Sequence, residues 1–353
     1  MRPFILTLFF IYFYALPKLL AQQTSVSTTR IANESDLVPV DLQSKYFSEN
    51  WILSGVLNDS IIITYTISIN DLDNFKERVG GASLFVKWGD YKSYSVKKEY
   101  PYSNFFYNDS LKKLGLHIDR PYWIKGSLQD SITVKFKTGK HSINYDVELK
   151  LYDIIAGLID NTPKYFNSSD FFHFKPIIIN SRISGLIAIN GDTLTVSGFG
   201  SLEHTHQNFN SSKKIKQQLR FFSSGISNSF DYINLILGGT NPSEIIYGQW
   251  FKKDSLLKTI NITSIKPSTP TKIRSIQIYK QYEIVLDEHN NNSIDSNILK
   301  FTDENTVTSS IFDDMNFFLR KMAKSYFKVD FIQIITTGTI NNKRAVVTGS
   351  IVK

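Results

Sequence analysis

Residues 131–137, SITVKFK, put Ile132, Val134 and Phe136 on one face and Ser131, Thr133, Lys135 and Lys137 on the other. The segment NYDVELKLY (144–152) repeats the pattern, with Tyr145, Val147, Leu149 and Leu151 opposed to Asn144, Asp146, Glu148 and Lys150. A period of two with one apolar face predicts antiparallel strands wetted on one side. Further strands are predicted at 61–69, 83–88, 182–189, 193–198, 232–237, 244–251, 273–279, 281–286 and 330–338. Asn190-Gly191 joins two of them, and that pair supplies the positive φ angles of a tight hairpin turn. The fold class expected is all-β.

One stretch departs from that period. In SSIFDDMNFFLRKMAKSYF (309–327), Ile311, Phe312, Met315, Phe318, Leu319, Met322 and Tyr326 recur at helical spacing, and Ser310 with Asp313 could form the capping box. A single helix near the C-terminus is expected there. Four segments share a glycine, a short apolar strand, a polar turn and a second apolar strand: SGVLNDSIII from Ser54, KGSLQDSITV from Lys125, SGLIAINGDTLTV from Ser184 and TGTINNKRAVV from Thr337. They suggest two copies of one barrel-like domain, beside the plainer reading that such hairpins recur in any β-rich chain.

The N-terminus sets the boundaries. Arg2 precedes an apolar run from Phe4 to Leu16, too short to span a bilayer, and small Ala21 precedes Gln22. Residues 1–21 therefore read as a signal peptide, and the mature chain as secreted or periplasmic after cleavage near Ala21, with no transmembrane segment. Residues 22–40 are polar and aperiodic, a flexible leader. About 330 remaining residues suit two domains, placed at 41–165 and 181–353 around a linker at 166–180.

Composition then removes function classes. The absence of cysteine excludes disulfides, thiolate chemistry and cysteine-held metals. The charge falls from +8 to +6 once Arg2 and Lys18 are removed, and the lysines are dispersed, so no nucleic-acid partner is expected. No phosphate-binding glycine loop and no G-x-S-x-G nucleophile elbow occurs, and no cofactor is expected.

Candidate chemistry gathers in GFGSLEHTHQNF (198–209), where Glu203, His204 and His206 fall within four positions. On a continuous strand Leu202, His204 and His206 share one face, and Glu203 and Thr205 the other. Three readings stand. His204 could donate a proton with Glu203 orienting or sharing it, His206 completing the catalytic set. His204 and His206 could hold a metal with His173 or Glu244 as third ligand, although neither spacing is diagnostic and no metal is expected. The third reading is structural, with the polar groups bonding between two barrels. Trp51, Tyr247 and Trp250 are the aromatics assigned to a ligand pocket, since barrel mouths hold apolar ligands.

The stretches ENWILSG (49–55), YDVELKLYD (145–153) and PIIINSRISGLIAINGDTLTVSGFGSLEHTHQ (176–207) resemble the carotenoid 1,2-hydratase/AttH-like group, itself similar to fungal survival-factor proteins and lipocalin-like Diels-Alderases. The resemblance covers most of 45–250 and implies two consecutive lipocalin-like antiparallel β-barrels. The group's motif is a glycine-rich strand ending in an acid, then His-x-Trp, then glycine. Glu203 and His204 match it, His206 stands at the tryptophan and Asn208 near the glycine. The resemblance implies a lipophilic small molecule, an isoprenoid or lipid, as partner. It also implies, as the alternative to simple binding, a hydratase, cyclase or isomerase that protonates a double bond. A non-catalytic extracellular interaction module is the third class considered.

Overall fold

The computed structural model describes residues 29–40, 42, 44, 46–71, 77–89, 92–116, 122–210, 214–224, 229–239, 244–273, 276–286, 297–301, 306–310, 313 and 331–352. The first part of the chain runs β1 (Thr29–Ile31), β2 (Ser48–Leu57), β3 (Ile61–Asn70), β4 (Val79–Trp88), β5 (Lys92–Pro101), β6 (Phe105–Asn108) and β7 (Lys113–Leu116). It continues through β8 (Tyr122–Gly126), β9 (Ile132–Lys140), β10 (Ile143–Ala156), β11 (Leu158–Asp160), β12 (Lys164–Tyr165), β13 (Phe171–Ile189) and β14 (Asp192–Gln207). Then come β15 (Ile215–Ser224), β16 (Phe230–Gly238), β17 (Glu244–Lys253), β18 (Leu257–Ile273), β19 (Ile276–Leu286), β20 (Asn297–Phe301), β21 (Val307–Ser310), β22 (Phe331–Ile340) and β23 (Lys343–Val352).

These strands form two barrel-like sheets. The first has the order β5-β4-β3-β2-β14-β13-β10-β9-β8-β7-β6, all antiparallel neighbours, and curls so that its ends meet through a short 3-10 turn at Tyr102–Asn104. In the second, β15 to β20 run in sequence, β20 pairs with β22, and β22 returns to β15 through β23, closing a ring of eight strands. Closure leaves no unpaired edge within that ring. Each sheet wraps its own apolar core, with Trp51, Tyr65 and Phe136 in the first and Phe221, Tyr282 and Ile334 in the second. No α-helix occurs among the described residues. The helix expected at 309–327 therefore has no support: apart from Ser309, Ser310 and Asp313 its residues lie outside the described ones, and Ser309 and Ser310 end β21.

The four repeated hairpins all form, as β2–β3, β8–β9, β13–β14 and β22–β23. Three lie in the first sheet and one in the second, so the two barrels are present but the hairpins are not shared evenly between them. Three share one turn, with positive φ at both central residues: Asn58-Asp59, Asn190-Gly191 and Asn341-Asn342.

Two segments differ from the sequence expectation. Residues 171–180, read as linker, begin the 19-residue strand β13, and β13 and β14 pair between β10 and β2 of the first sheet although 181–353 was assigned to the second domain. Asn180 and Pro176 had suggested a break, and the ladder takes them up with register shifts at 176–181. In the expected leader, Thr29–Ile31 pairs with Leu158–Asp160, and a 3-10 turn at Glu34–Leu37 is closed by a capping box between Asn33 and Asp36. Asp36 is gripped by Arg30 through two 2.6 Å hydrogen bonds, and Leu37 is buried in the first core. A strap thus lies across one end of the first barrel. Residues 1–21, the expected signal peptide, lie outside the described residues.

The contact between barrels explains why some strands showed no alternation. All nine residues of β16 and the last eight of β14 are buried, because one face packs inside a barrel and the other against the neighbouring sheet. Val56, Ile62 and Phe85 of the first sheet meet Ile335 and Val346 of the second there.

Candidate functional site

Strand β14 carries the polar motif, and its glycines explain its position. A Cβ at Gly198 would lie 1.9 Å from the Val56 carbonyl oxygen, and one at Gly200 2.4 Å from that of Ser54. Only glycine lets β14 come this close to β2. The register then sets His204 opposite Trp51 and His206 opposite Glu49. On its other side β13 sets His173 opposite His206. As the strand period requires, Glu203 faces away from the two histidines.

His204 and Glu49 have no exposed surface. His204 Nε2 is hydrogen-bonded to Glu49 Oε1 at 2.7 Å, and its Nδ1–H donates to the Asp36 carbonyl. The imidazole stacks on the Trp51 indole with centroids 4.7 Å apart, and Trp51 Nε1–H donates to the Leu37 carbonyl at 3.0 Å. Val40 N–H donates to Glu49 Oε1 at 2.8 Å. The strap therefore supplies three backbone groups that hold the site shut. Arg30 anchors it: burial would raise the Asp36 carboxyl, but Arg30, the Asn33 backbone and Lys175 outweigh burial and hold it below its ordinary value.

His206 is nearly as buried, and its Nδ1 has no hydrogen-bond partner; the same holds for Glu49 Oε2. Burial first, and then the neighbouring His204, His173 and Lys175, push the His206 pKa down to about 2, so the ring is neutral. His173 packs edge-on against it at 5.0 Å, bonds the Asp160 carbonyl at 2.9 Å, and is itself lowered chiefly by burial. Ligating atoms of Glu49, His204 and His206 all lie within 4.8 Å of one another.

Glu203 belongs to a different constellation. Arg220 from β15 approaches its Oε2 at 2.7 Å through Nε and 2.6 Å through Nη2, while Tyr232 and Asn234 from β16 donate to Oε1. All four side chains are buried. Burial, and next the Glu203 charge, raise the Tyr232 phenol well above its ordinary value. This network joins the barrels, and Glu203 is too far committed to orient His204.

The assigned pocket aromatics are separated. Trp51 covers His204, whereas Trp250 sits in the second core with its Nε1–H on Asp231 at 2.9 Å, and Tyr247 packs on Phe174 at 4.3 Å and bonds Gln249. Glu244, weighed as a metal ligand, is exposed at the start of β17 and stands outside the cluster. Glu49 was missed, although its sequence signal is plain: Glu49, Trp51 and Leu53 alternate on one face, which puts an acid on an otherwise apolar surface.

Two cavities occur among the described residues with neither histidine in their walls. One, of about 10 Å³, lies beneath the strap beside Glu34, Leu37 and Tyr107. The other, of about 60 Å³, is a cleft between the barrels walled by Ile52, Thr64, Phe85, Gln218, Arg220 and Gln333. Gln218 Nε2 is buried there without a partner.

No protein-family model and no curated protein sequence matches the chain. Solved structures do. The structure of CghA with Sch210972 aligns with TM-score 0.61 over 91% of this chain and 93% of that one at 9% identity. An AttH candidate from Nitrosomonas europaea aligns with TM-score 0.57 over 87% and 92% at 10% identity. The chain shares the AttH-like fold. The resemblance seen in residues 45–250 thus extends, as architecture, over both barrels. At this identity the AttH-like fold is what is held in common, and the groups on it are this chain's own.

Proposed function

We propose that this is an exported protein with the AttH-like fold that binds a small molecule having an apolar body and a polar end, the polar end seated in the cleft between the barrels. One observation carries the reading: the Gln218 amide N–H, buried and without an acceptor, faces a cleft whose other walls alternate apolar Ile52 and Phe85 with polar Thr64, Gln333 and Arg220. An unmet buried donor costs about 1–3 kcal/mol, which a carbonyl or hydroxyl on a ligand would recover. A cleft of about 60 Å³ holds a few water molecules or one head group, so the ligand's body would extend toward the open side. The bound molecule in the CghA structure gives the fold-level precedent. The signal-peptide pattern of residues 1–21 supports the export part of this reading, and no helix among the described residues is long and apolar enough to cross a membrane.

Binding is preferred over protonation of the ligand because a substrate must touch its acid. His204 is fully buried beneath Trp51 and the 36–40 strap, and neither cavity reaches it. The test is titration of the fluorescent fatty acid cis-parinaric acid into the purified protein, with organic extraction and mass spectrometry of what co-purifies. Saturable binding that weakens about tenfold in Gln218→Leu supports the reading. Absence of both a co-purifying molecule and saturable binding overturns it.

A further inference from the structure

The cluster of Glu49, His204 and His206 serves neither the cleft nor the contact between barrels. Its cost is plain, since two polar atoms, Glu49 Oε2 and His206 Nδ1, are buried without a hydrogen bond on facing positions of one ladder. Native structures leave few such atoms unpaired, and each asks for a partner. A packed structural histidine would need only one of its neighbours. Here three potential ligands converge from two adjacent strands, two of them carrying a free lone pair.

We infer that Glu49, His204 and His206 form a binding site for a divalent transition metal, with zinc as the ion its two imidazoles and one carboxylate fit best. The donor set of nitrogen and carboxylate oxygen suits zinc and excludes the hard, all-oxygen preference of calcium and magnesium. The surrounding bonds are those of a held ligand set. His204 gives its Nδ1–H to the Asp36 carbonyl, which leaves Nε2 as the ligating atom and fixes the ring, as outer partners of metal-bound histidines do. Trp51 clamps the same ring from its face. Val40 N–H holds Glu49 Oε1 and leaves Oε2 free. Ligating atoms of a tetrahedral zinc site stand about 3.3 Å apart, from bond lengths near 2.0–2.1 Å. The ligating atoms, now within 4.8 Å of one another, would have to draw together by up to about 1.5 Å on binding zinc. Three protein ligands leave a fourth position, and His173 stands on the far side of His206 from Glu49.

The experiment is calorimetric titration of zinc chloride into the metal-free full chain, with cobalt(II) as a spectroscopic substitute. One zinc per chain is expected, together with the intense visible absorption of four-coordinate cobalt and a higher melting temperature in zinc. His206→Ala and Glu49→Gln should each weaken zinc by more than about 100-fold, since loss of even an outer partner costs 10–100-fold. His141→Asn, at an exposed hairpin turn, should change nothing. Circular dichroism of each variant without zinc reports whether it folds. If His206→Ala does not fold, X-ray absorption of the wild-type zinc complex decides, with two imidazoles expected in the coordination shell. No stoichiometric uptake, uptake unchanged in a folded His206→Ala, uptake abolished by His141→Asn, or a shell without imidazole would each overturn the site. None of these outcomes bears on the cleft ligand, whose binding is read with a fatty acid at other residues.

Discussion

His206 and Glu49 face each other across the β14–β2 ladder, each buried and each with one polar atom lacking a hydrogen bond. Their pairing shows that the polar motif is turned into the first barrel and away from its neighbour. His204 shares that inner face, and Glu203 between them turns to the second barrel. One strand therefore serves two purposes on alternate residues.

Stability should respond to pH through His206. Its folded pKa of about 2 lies below the unfolded value near 6.5, so between these limits the unfolded chain binds the proton and the folded one does not. Stability contributed in this way is complete above about pH 6.5 and is lost as pH falls, by up to about 1.4 kcal/mol per unit. Urea denaturation at pH 7 and pH 5 should show the drop, and His206→Gln should make it shallower. An unchanged slope would show that His206 titrates freely in the folded protein.

Glu203 should act as a clamp between barrels. Removing one partner from a buried ion pair costs roughly 3–5 kcal/mol because the other charge is stranded. Glu203→Ala leaves Arg220 unpaired among buried Tyr232 and Asn234, and should cost that much in chemical denaturation. Glu203→Leu combined with Arg220→Met should recover a large part, since neither charge is then buried. A single variant costing under about 1 kcal/mol would show that water reaches the network.

The legible part of this molecule was the strands wet on one face. Residues 131–137 and 144–152 pair as β9 and β10 with Phe136 opposite Val147, as their alternation required. Runs buried on both sides, such as 230–238, are legible as strands by their apolar residues, but they carry no period to say which face meets which core, because burial of both faces is a tertiary fact. The site was half legible for the same reason. His204 and His206 announce themselves by spacing, but Glu49 lies about 150 positions earlier and joins them only through a pairing of distant strands. The order of the strap is not legible because one capping box and an Arg–Asp fork hold a polar segment that has no hydrophobic period.

The close approach of β14 to β2 should be sensitive to a single methyl group. Gly200→Ala would place a Cβ 2.4 Å from the Ser54 carbonyl oxygen and 2.7 Å from Ile183 Cδ1. The side chain of Ile183 can give, but the Ser54 backbone is held in the ladder, so β14 must separate from β2. Overpacking of this kind costs about 1–3 kcal/mol. Gly191→Ala, at a turn with open space around it but φ of +89°, should cost less than Gly200→Ala, through backbone strain alone. Thermal melts of the two variants compare them, and a milder effect at Gly200 would mean that the strands are free to part there.

Trp51 should govern access to the histidines. Its indole is at once the lid over His204 and a hydrogen-bond donor to the strap at Leu37. Trp51→Phe keeps a ring over the imidazole and loses the donor, at a cost near 1 kcal/mol. Trp51→Ala also opens a cavity, at about 3–5 kcal/mol. The strap is held further by the Arg30–Asp36 fork and the three-residue pairing of β1 with β11, fewer contacts than hold the barrel strands, so it should loosen before the barrel does. Limited proteolysis near residues 38–46 should therefore accelerate in Trp51→Ala, while fragments of the barrel stay intact. Arg30→Ala should reproduce the faster cleavage, because it takes from the buried Asp36 carboxylate the fork that anchors the strap. Equal cleavage rates in wild type and Trp51→Ala would mean that β1 and the fork alone hold the strap.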